Sequence, residues 1–128
     1  MKQNILVTGA SGYVGSTIIS HLHKKGHNIF AMVRKKNQYT LDHVNYLTLD
    51  DLFSLENNKI LYNMDTIIHA AGRAHIRLPF LKKNRDKLFI DNVELTDKLA
   101  NLTILYNIKN FIFINIAKIY GEESQNIN

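Results

Sequence analysis

Short apolar runs alternate with helix-length amphipathic segments along this chain. The apolar runs predict five strands, at residues 5–7, 29–33, 44–49, 66–69 and 111–114. Apolar residues at helical spacing predict helices near residues 14–22, 52–62 and 83–106, and Gly26 is the expected stop of the first helix. A β-α-β unit therefore opens the chain, and the longest helix precedes the last strand.

The predicted strands are continuous runs of β-favouring residues rather than strict apolar–polar alternations, which is typical of a sheet covered by helices on both faces. We therefore predict an α/β protein with a doubly wound, Rossmann-like parallel sheet of about five strands in the order 3-2-1-4-5. The sequence has no internal repeat and no linker rich in Pro, Gly or Ser, so we expect residues 1–128 to form one domain.

Composition narrows the classes of function only slightly. Hydrophobic residues make up 45% of the 128 residues and cysteine is absent, as in an ordinary globular domain without disulfides. The net charge of +5 is compatible with acidic small molecules. No apolar run approaches the length of a membrane span, so we expect a cytoplasmic protein without a membrane partner.

Histidines and a basic cluster are interpreted as structural or solvated features. The cluster opens the long predicted helix and lacks the interleaved aromatic residues that favour nucleic acid, so we expect no nucleic-acid partner. It consists of Lys82, Lys83, Arg85 and Lys87. The histidine spacing does not suit a metal site, and His69 is interpreted as a strand-end residue packed beside a turn.

A glycine-rich turn, TGASGYVG at residues 8–15, directly follows the first predicted strand. Glycines at the mouth of a helix let backbone N–H groups approach a pyrophosphate, and the helix N-terminus adds partial positive charge. The surrounding strand, helix and second strand predict a dinucleotide site. We expect the branched side chain of a Gly12→Val variant to occupy the space of the pyrophosphate and to disfavour the turn. Glycines that serve only helix–strand packing are the alternative.

From these motifs the chain resembles the extended short-chain dehydrogenase/reductase superfamily, and within it the NAD-dependent epimerases and dehydratases of nucleotide sugars. Residues 64–75, MDTIIHAAGRAH, resemble the family's fourth strand and the small-residue turn after it. Asn92 resembles the helix Asn of the N-V-x-G-T pattern, and residues 110–121 resemble the fifth strand and the segment after it. The resemblance covers nearly the whole chain and implies a fold truncated before the catalytic and substrate-binding part.

The resemblance implies a set of cofactor contacts. Those at the pyrophosphate are Gly9, Gly12, Tyr13, Val14 and Gly15. Those at the adenine and along the rest of the cofactor are Asp51, Leu52, Ala70, Ala71, Gly72 and Asn92. Because Asp50 and Asp51 are adjacent, the resemblance does not decide which of the two aspartates contacts the adenine. Both acids also suit a helix N-terminus, so helix capping is an alternative that can hold together with adenine recognition.

The second predicted strand ends without the acid that usually binds the ribose hydroxyls, and Val33 occupies its place. Arg34, followed by Lys35 and Lys36, can pair with a 2′-phosphate, which favours NADP. A solvated basic turn is the alternative, and the family resemblance favours NAD. The predicted cofactor is NADP or NAD, and we favour NADP because no carboxylate lies between Ala31 and Leu41 to repel a 2′-phosphate.

The family's catalytic pair, a Tyr four residues before a Lys, is absent, since none of the six tyrosines has Lys at that spacing. Asn115 and Ile116 stand where the family has Ser-Ser. We therefore assign no catalytic residue and predict the NAD(P)-binding part of a nucleotide-sugar epimerase/dehydratase-like protein, inactive alone. The alternatives are a catalytically silent NAD(P)-binding regulatory module and a decayed gene fragment.

Two kinds of partner follow from this interpretation. A dinucleotide is expected at the glycine turn, and a UDP-sugar belongs to the parent family's reaction. The fifth predicted strand carries the apolar sequence FIFIN, residues 111–115, which would form an exposed sheet edge. Such an edge favours association with another strand.

Overall fold

Five strands and four helices form the described part of the chain in this computed structural model. The structure describes residues 1–33, 41–54, 58–70 and 82–114, without the side chains of Asn58 and of residues 82–92. The strands are β1 (Asn4–Thr8), β2 (Asn28–Met32), β3 (Val44–Leu47), β4 (Thr66–His69) and β5 (Asn110–Phe113). The helices are α1 (Tyr13–Lys24), α2 (Leu49–Phe53), α3 (Asn58–Tyr62) and α4 (Lys82–Leu105).

The strands form one parallel sheet in the order β3-β2-β1-β4-β5. The chain winds outward from β1 to β2 and β3, then crosses back to β4 and continues to β5 on the other side. This confirms the predicted doubly wound topology and places the reversal of strand order beside β1.

Each face of the sheet carries its own apolar core, because successive side chains of a strand point to opposite faces. On one face, Ile5 and Val7 of β1 pack with Ile19 of α1. On the other face, Leu6 of β1 packs in a cluster with Leu99 of α4 and with residues of α2 and α3. Helices therefore cover both faces, which explains the uninterrupted apolar character of the central strands.

A short helix, α3, lies within the range predicted for one, residues 52–62, but the predicted bounds are corrected by the structure. Two short helices, α2 and α3, occupy this region, and α2 already begins at Leu49. Because Thr48 is the N-cap of α2, β3 ends at Leu47, before the predicted boundary at residue 49. Ser54 takes an extended conformation, which ends α2. Capping rather than hydrophobic periodicity sets these boundaries.

Helix α4 is the longest, with 24 residues. It buries Leu99 and Leu102 against the sheet and leaves Ile104 and Leu105 exposed near its C-terminus. Among the helices in the described ranges, none is long and apolar enough to cross a membrane.

Candidate functional site

The carboxyl ends of the five strands lie side by side at one edge of the sheet. Thr8 of β1 is in register with Met32 of β2 on one side and with His69 of β4 on the other. The same row continues to Leu47 of β3 and to Phe113 of β5. Parallel sheets bind ligands at this edge, where the strand order reverses. The structure thus brings the predicted site residues after β1 and β3 to the same edge as Ala70, the described residue after β4.

The glycine turn after β1 is a tight loop closed by a backbone hydrogen bond. The Gly12 N–H donates to the Gly9 carbonyl oxygen over 3.0 Å. Gly9 has a φ of 69°, in the left-handed region that side chains disfavour. This residue therefore allows the chain to leave β1 and enter α1 within a few residues.

Gly15 lies in the first turn of α1 and is buried against the glycine turn. A Cβ added at Gly15 would overlap the Gly9 carbonyl oxygen and lie 2.7 Å from the Gly9 carbonyl carbon. Only a residue without a side chain lets the helix start this close to the end of β1. Helix–strand packing is therefore one role of the motif.

Gly12 has a different role, since it is the exposed N-cap of α1. Its φ of −78° and ψ of 165° are ordinary extended values. An added Cβ would make only a 3.4 Å contact with the Gly9 carbonyl oxygen. The expectation that a side chain at Gly12 disfavours the turn is therefore wrong, and its expected clash with a pyrophosphate stays a prediction.

The start of α1 suits an anionic ligand. Gly12 provides no side-chain hydrogen bond to the first turn, and that turn contains no acidic residue. Backbone N–H groups of a first helical turn lack partners within the helix, and the helix dipole adds partial positive charge. Tyr13 and Val14 are exposed beside them. These features fit a phosphate or pyrophosphate group.

The start of α2 is a capping box formed by Thr48 and Asp51. The Asp51 N–H donates to Thr48 Oγ1 over 3.2 Å, and Asp51 Oδ2 accepts the Thr48 N–H over 3.0 Å. The alternative raised by the sequence, an aspartate as the helix N-cap, is wrong, because Thr48 is the N-cap residue; both aspartates lie in the first turn, and Asp51 completes the capping box. Leu52 is buried in the core and donates its N–H to the Thr48 carbonyl oxygen. Adenine contacts of Asp51 and Leu52 stay predictions.

A buried hydrogen-bond chain lies beneath this edge, and the sequence did not predict it. Thr8 Oγ1 accepts the Ala70 N–H over 3.1 Å and lies 2.7 Å from His69 Nδ1. His69 Nε2 lies 3.0 Å from Thr96 Oγ1 on α4. His69 is 1% exposed, which confirms its interpretation as a packed strand-end residue. Burial lowers the pKa of the His69 imidazole below its ordinary value, so the neutral ring is favoured.

Other predicted positions cannot be placed in this geometry. Arg34, Ala71 and Gly72 lie outside the described residues, as does Asn115 with the segment after it. Asn92 belongs to α4, but its side chain is outside the described part. Within the ranges that the structure describes, no three His, Asp or Glu side chains are grouped in a way that could hold a metal ion.

Comparison with known proteins relates this geometry to one family. The model of the NAD dependent epimerase/dehydratase family matches residues 5–128. GDP-mannose 3,5-epimerase 1 of Oryza sativa subsp. indica is 27% identical over 127 residues, and UDP-glucose 4-epimerase of Vibrio cholerae is 29% identical over 125 residues. The solved structure of MoeE5 in complex with UDP-glucose and NAD matches with a TM-score of 0.67 at 25% identity.

These similar proteins are much longer than the chain. The alignment covers 97% of this chain but 33% of the Oryza protein, and 95% of this chain but 37% of the Vibrio protein. The match to MoeE5 covers 86% of this chain and 35% of that chain. The chain therefore spans about a third of the length of these relatives.

Proposed function

The chain belongs to the NAD-dependent epimerase/dehydratase family, and we propose that residues 1–128 form the dinucleotide-binding domain of a nucleotide-sugar-modifying protein. The observation that carries this proposal is the start of α1, where Gly15 packs on Gly9 at the sheet edge and no side chain caps the helix. MoeE5, a solved relative, contains UDP-glucose and NAD. We propose a cytoplasmic location, where a dinucleotide and sugar nucleotides are both available.

Each segment of the edge has a proposed part in holding the cofactor. The backbone of residues 9–15 would bind the pyrophosphate, because its N–H groups lie at a helix N-terminus. Asp51 would contact the adenine from the start of α2. Ala70, Ala71 and Gly72 would run along the cofactor, where small side chains leave room. Bound NAD or NADP would supply a hydride acceptor for a sugar carbon.

A calorimetric titration of the chain with NAD and with NADP tests this proposal. We expect saturable binding of at least one dinucleotide and a matching rise in the unfolding temperature, because a ligand that binds only the folded state stabilises it. A cooperatively folded chain that binds neither would contradict the proposal. An unfolded or aggregated chain would instead favour the decayed fragment.

We further propose that the isolated chain binds cofactor without catalysing a reaction. The general base that removes a sugar hydroxyl proton requires a group with a matched pKa, and the sequence contains no Tyr-x-x-x-Lys pair to provide it. We expect no epimerase, dehydratase or reductase turnover with UDP-sugars and NAD or NADP. The Gly12→Val variant, purified in parallel, measures the background from contaminating enzymes. Turnover of the unmodified chain above that background would show that another residue acts as the base.

The choice between NAD and NADP is proposed to depend on Arg34. Val33, which occupies the place of the usual acid, is buried in the core at the end of β2. No carboxylate from this position would therefore repel a 2′-phosphate, and a charge-assisted contact is worth roughly ten- to a hundredfold in affinity. We expect NADP to bind more tightly than NAD. The family name and the NAD in MoeE5 support the opposite preference.

Replacing Arg34 with Ala should weaken NADP by about tenfold after screening by solvent and leave NAD nearly unchanged. Lys24→Ala is the matched control, because this exposed cation lies at the opposite end of α1 from the glycine turn. Calorimetry with both cofactors measures the effect. Equal losses for NAD and NADP would mean that Arg34 stacks on the adenine, and an unaltered NADP affinity would indicate a solvated turn.

The β5 edge of the sheet is proposed to associate with a further strand. In the described sheet β5 pairs on one side only, with β4, and Ile112 and Phe113 are 47% and 52% exposed. An apolar edge strand favours pairing with another strand. We propose that its partner is a sixth strand of the polypeptide that would supply the catalytic part.

A further inference from the structure

The hydrogen bond between Ala70 and Thr8 joins the two backbone segments that lie on either side of the strand reversal. Thr8 directly precedes Gly9, and Ala70 directly follows β4. The Ala70 N–H donates to Thr8 Oγ1 over 3.1 Å, so this hydroxyl fixes the spacing of the two segments. A hydroxyl rotates about its C–O bond, and its remaining partners decide its direction.

The His69 imidazole holds the Thr8 hydroxyl on its other side. The two atoms, Thr8 Oγ1 and His69 Nδ1, are 2.7 Å apart, and both residues are almost completely buried. The ring lies between the sheet and α4, with the ring centroids of Phe113 and Phe111 at 5.3 Å and 6.5 Å. These phenyl rings restrict the space for the imidazole but offer it no conventional hydrogen-bond partner.

The second ring nitrogen is satisfied by α4. A neutral imidazole has one N–H donor and one acceptor nitrogen, and a threonine hydroxyl can serve either. Thr96 Oγ1, at 3.0 Å from His69 Nε2, is therefore the hydrogen-bond partner of the second ring nitrogen. Without this hydroxyl a buried nitrogen would lose its partner, which favours rotation of the ring away from Thr8.

We propose that Thr96 is a positioning residue for the dinucleotide, acting through His69 on the Thr8 hydroxyl and so on the spacing between the glycine turn and Ala70. This inference rests on the proposed dinucleotide binding. Thr96 lies on a helix outside the glycine motif, and its effect on the ligand is carried by three hydrogen bonds across β1, β4 and α4.

A pair of opposite substitutions separates hydrogen bonding from packing at this position. Thr96→Val keeps the shape and removes the hydroxyl, whereas Thr96→Ser keeps the hydroxyl and removes a methyl group. We expect Thr96→Val to weaken the better-bound dinucleotide by about three- to tenfold, and Thr96→Ser to retain the affinity of the unmodified chain. The matched control is Thr103→Val, because Thr103 is on the same helix and its hydroxyl donates to the Leu99 carbonyl oxygen of that helix.

Calorimetry with NAD and NADP, at a temperature well below the unfolding transition of every variant, measures these affinities. A His69→Phe background tests the route, since Thr96→Val should cause no further loss of affinity once the imidazole is gone. Equal affinities of Thr96→Val and Thr103→Val would overturn this inference and leave the proposed dinucleotide binding intact. So would a Thr96→Ser loss as large as that of Thr96→Val. Absence of binding by the unmodified chain would overturn the proposed function and this inference with it.

Discussion

Gly15→Ala is expected to lower the free energy of unfolding by about 3 kcal/mol, and the unfolding temperature by roughly 10–20 °C. The added Cβ would overlap the Gly9 carbonyl oxygen, and this atom belongs to the backbone rather than to a flexible side chain. Gly9 cannot move freely, because its carbonyl accepts the Gly12 N–H and its φ of 69° is set by the turn. Helix α1 would have to shift from the sheet edge, which separates Ile19 from its core contacts.

Gly12→Ala is the matched control for this prediction, because the same methyl group is added to the same motif. Its Cβ would lie at an ordinary 3.4 Å from the Gly9 carbonyl oxygen. We expect a loss of about 1 kcal/mol or less, from the weaker N-cap. Thermal and urea unfolding followed by circular dichroism measure both variants. Equal and small losses would contradict the close packing of Gly15 on Gly9.

The central strands β1 and β4 were predictable from the sequence because they are buried on both faces. Residues 5–7 and 67–68 are consecutive apolar positions with no alternation, and their polar and small neighbours limit them to strand length. The bounds of α2 were not predictable in the same way. The hydrogen bonds between Thr48 and Asp51 set its start and the extended backbone of Ser54 sets its end, and neither changes the hydrophobic periodicity.

The candidate site was predictable to the level of the motif but not of its individual atoms. Three glycines after a strand indicate a tight turn. The sequence does not show that Gly15 packs directly against the Gly9 backbone, or that Gly12 has ordinary dihedral angles. The link from His69 to Thr96 spans 27 positions and arises only when α4 packs on the sheet. Thr8 and His69 are polar residues at the ends of adjacent strands, and this was the available sequence signal for their contact. The sequence carried no comparable signal for the contact between His69 and Thr96.

Gly12→Val is expected to abolish dinucleotide binding while the fold is retained. The extended backbone of Gly12 accommodates a β-branched residue, so the turn itself stays intact. The isopropyl group would occupy the exposed space over the first turn of α1, where a pyrophosphate must approach the N–H groups closely. The weaker N-cap should cost only about 1 kcal/mol of stability. Calorimetry gives the affinity for NAD and NADP, and unfolding by circular dichroism confirms the fold.

Gly12→Ser separates the steric effect from any weakening of the helix start. A serine at this N-cap would accept a hydrogen bond from an N–H of the first turn, so the helix would be at least as stable as with glycine. The same N–H groups are those proposed for the pyrophosphate, so the serine hydroxyl would compete with the ligand for them. We therefore expect Gly12→Ser to reduce dinucleotide affinity without lowering the unfolding temperature. If Gly12→Ser bound the dinucleotide normally and only Gly12→Val failed to bind it, the first-turn N–H groups would not be the pyrophosphate donors. Unchanged binding by Gly12→Val would show that the dinucleotide does not bind at the glycine turn.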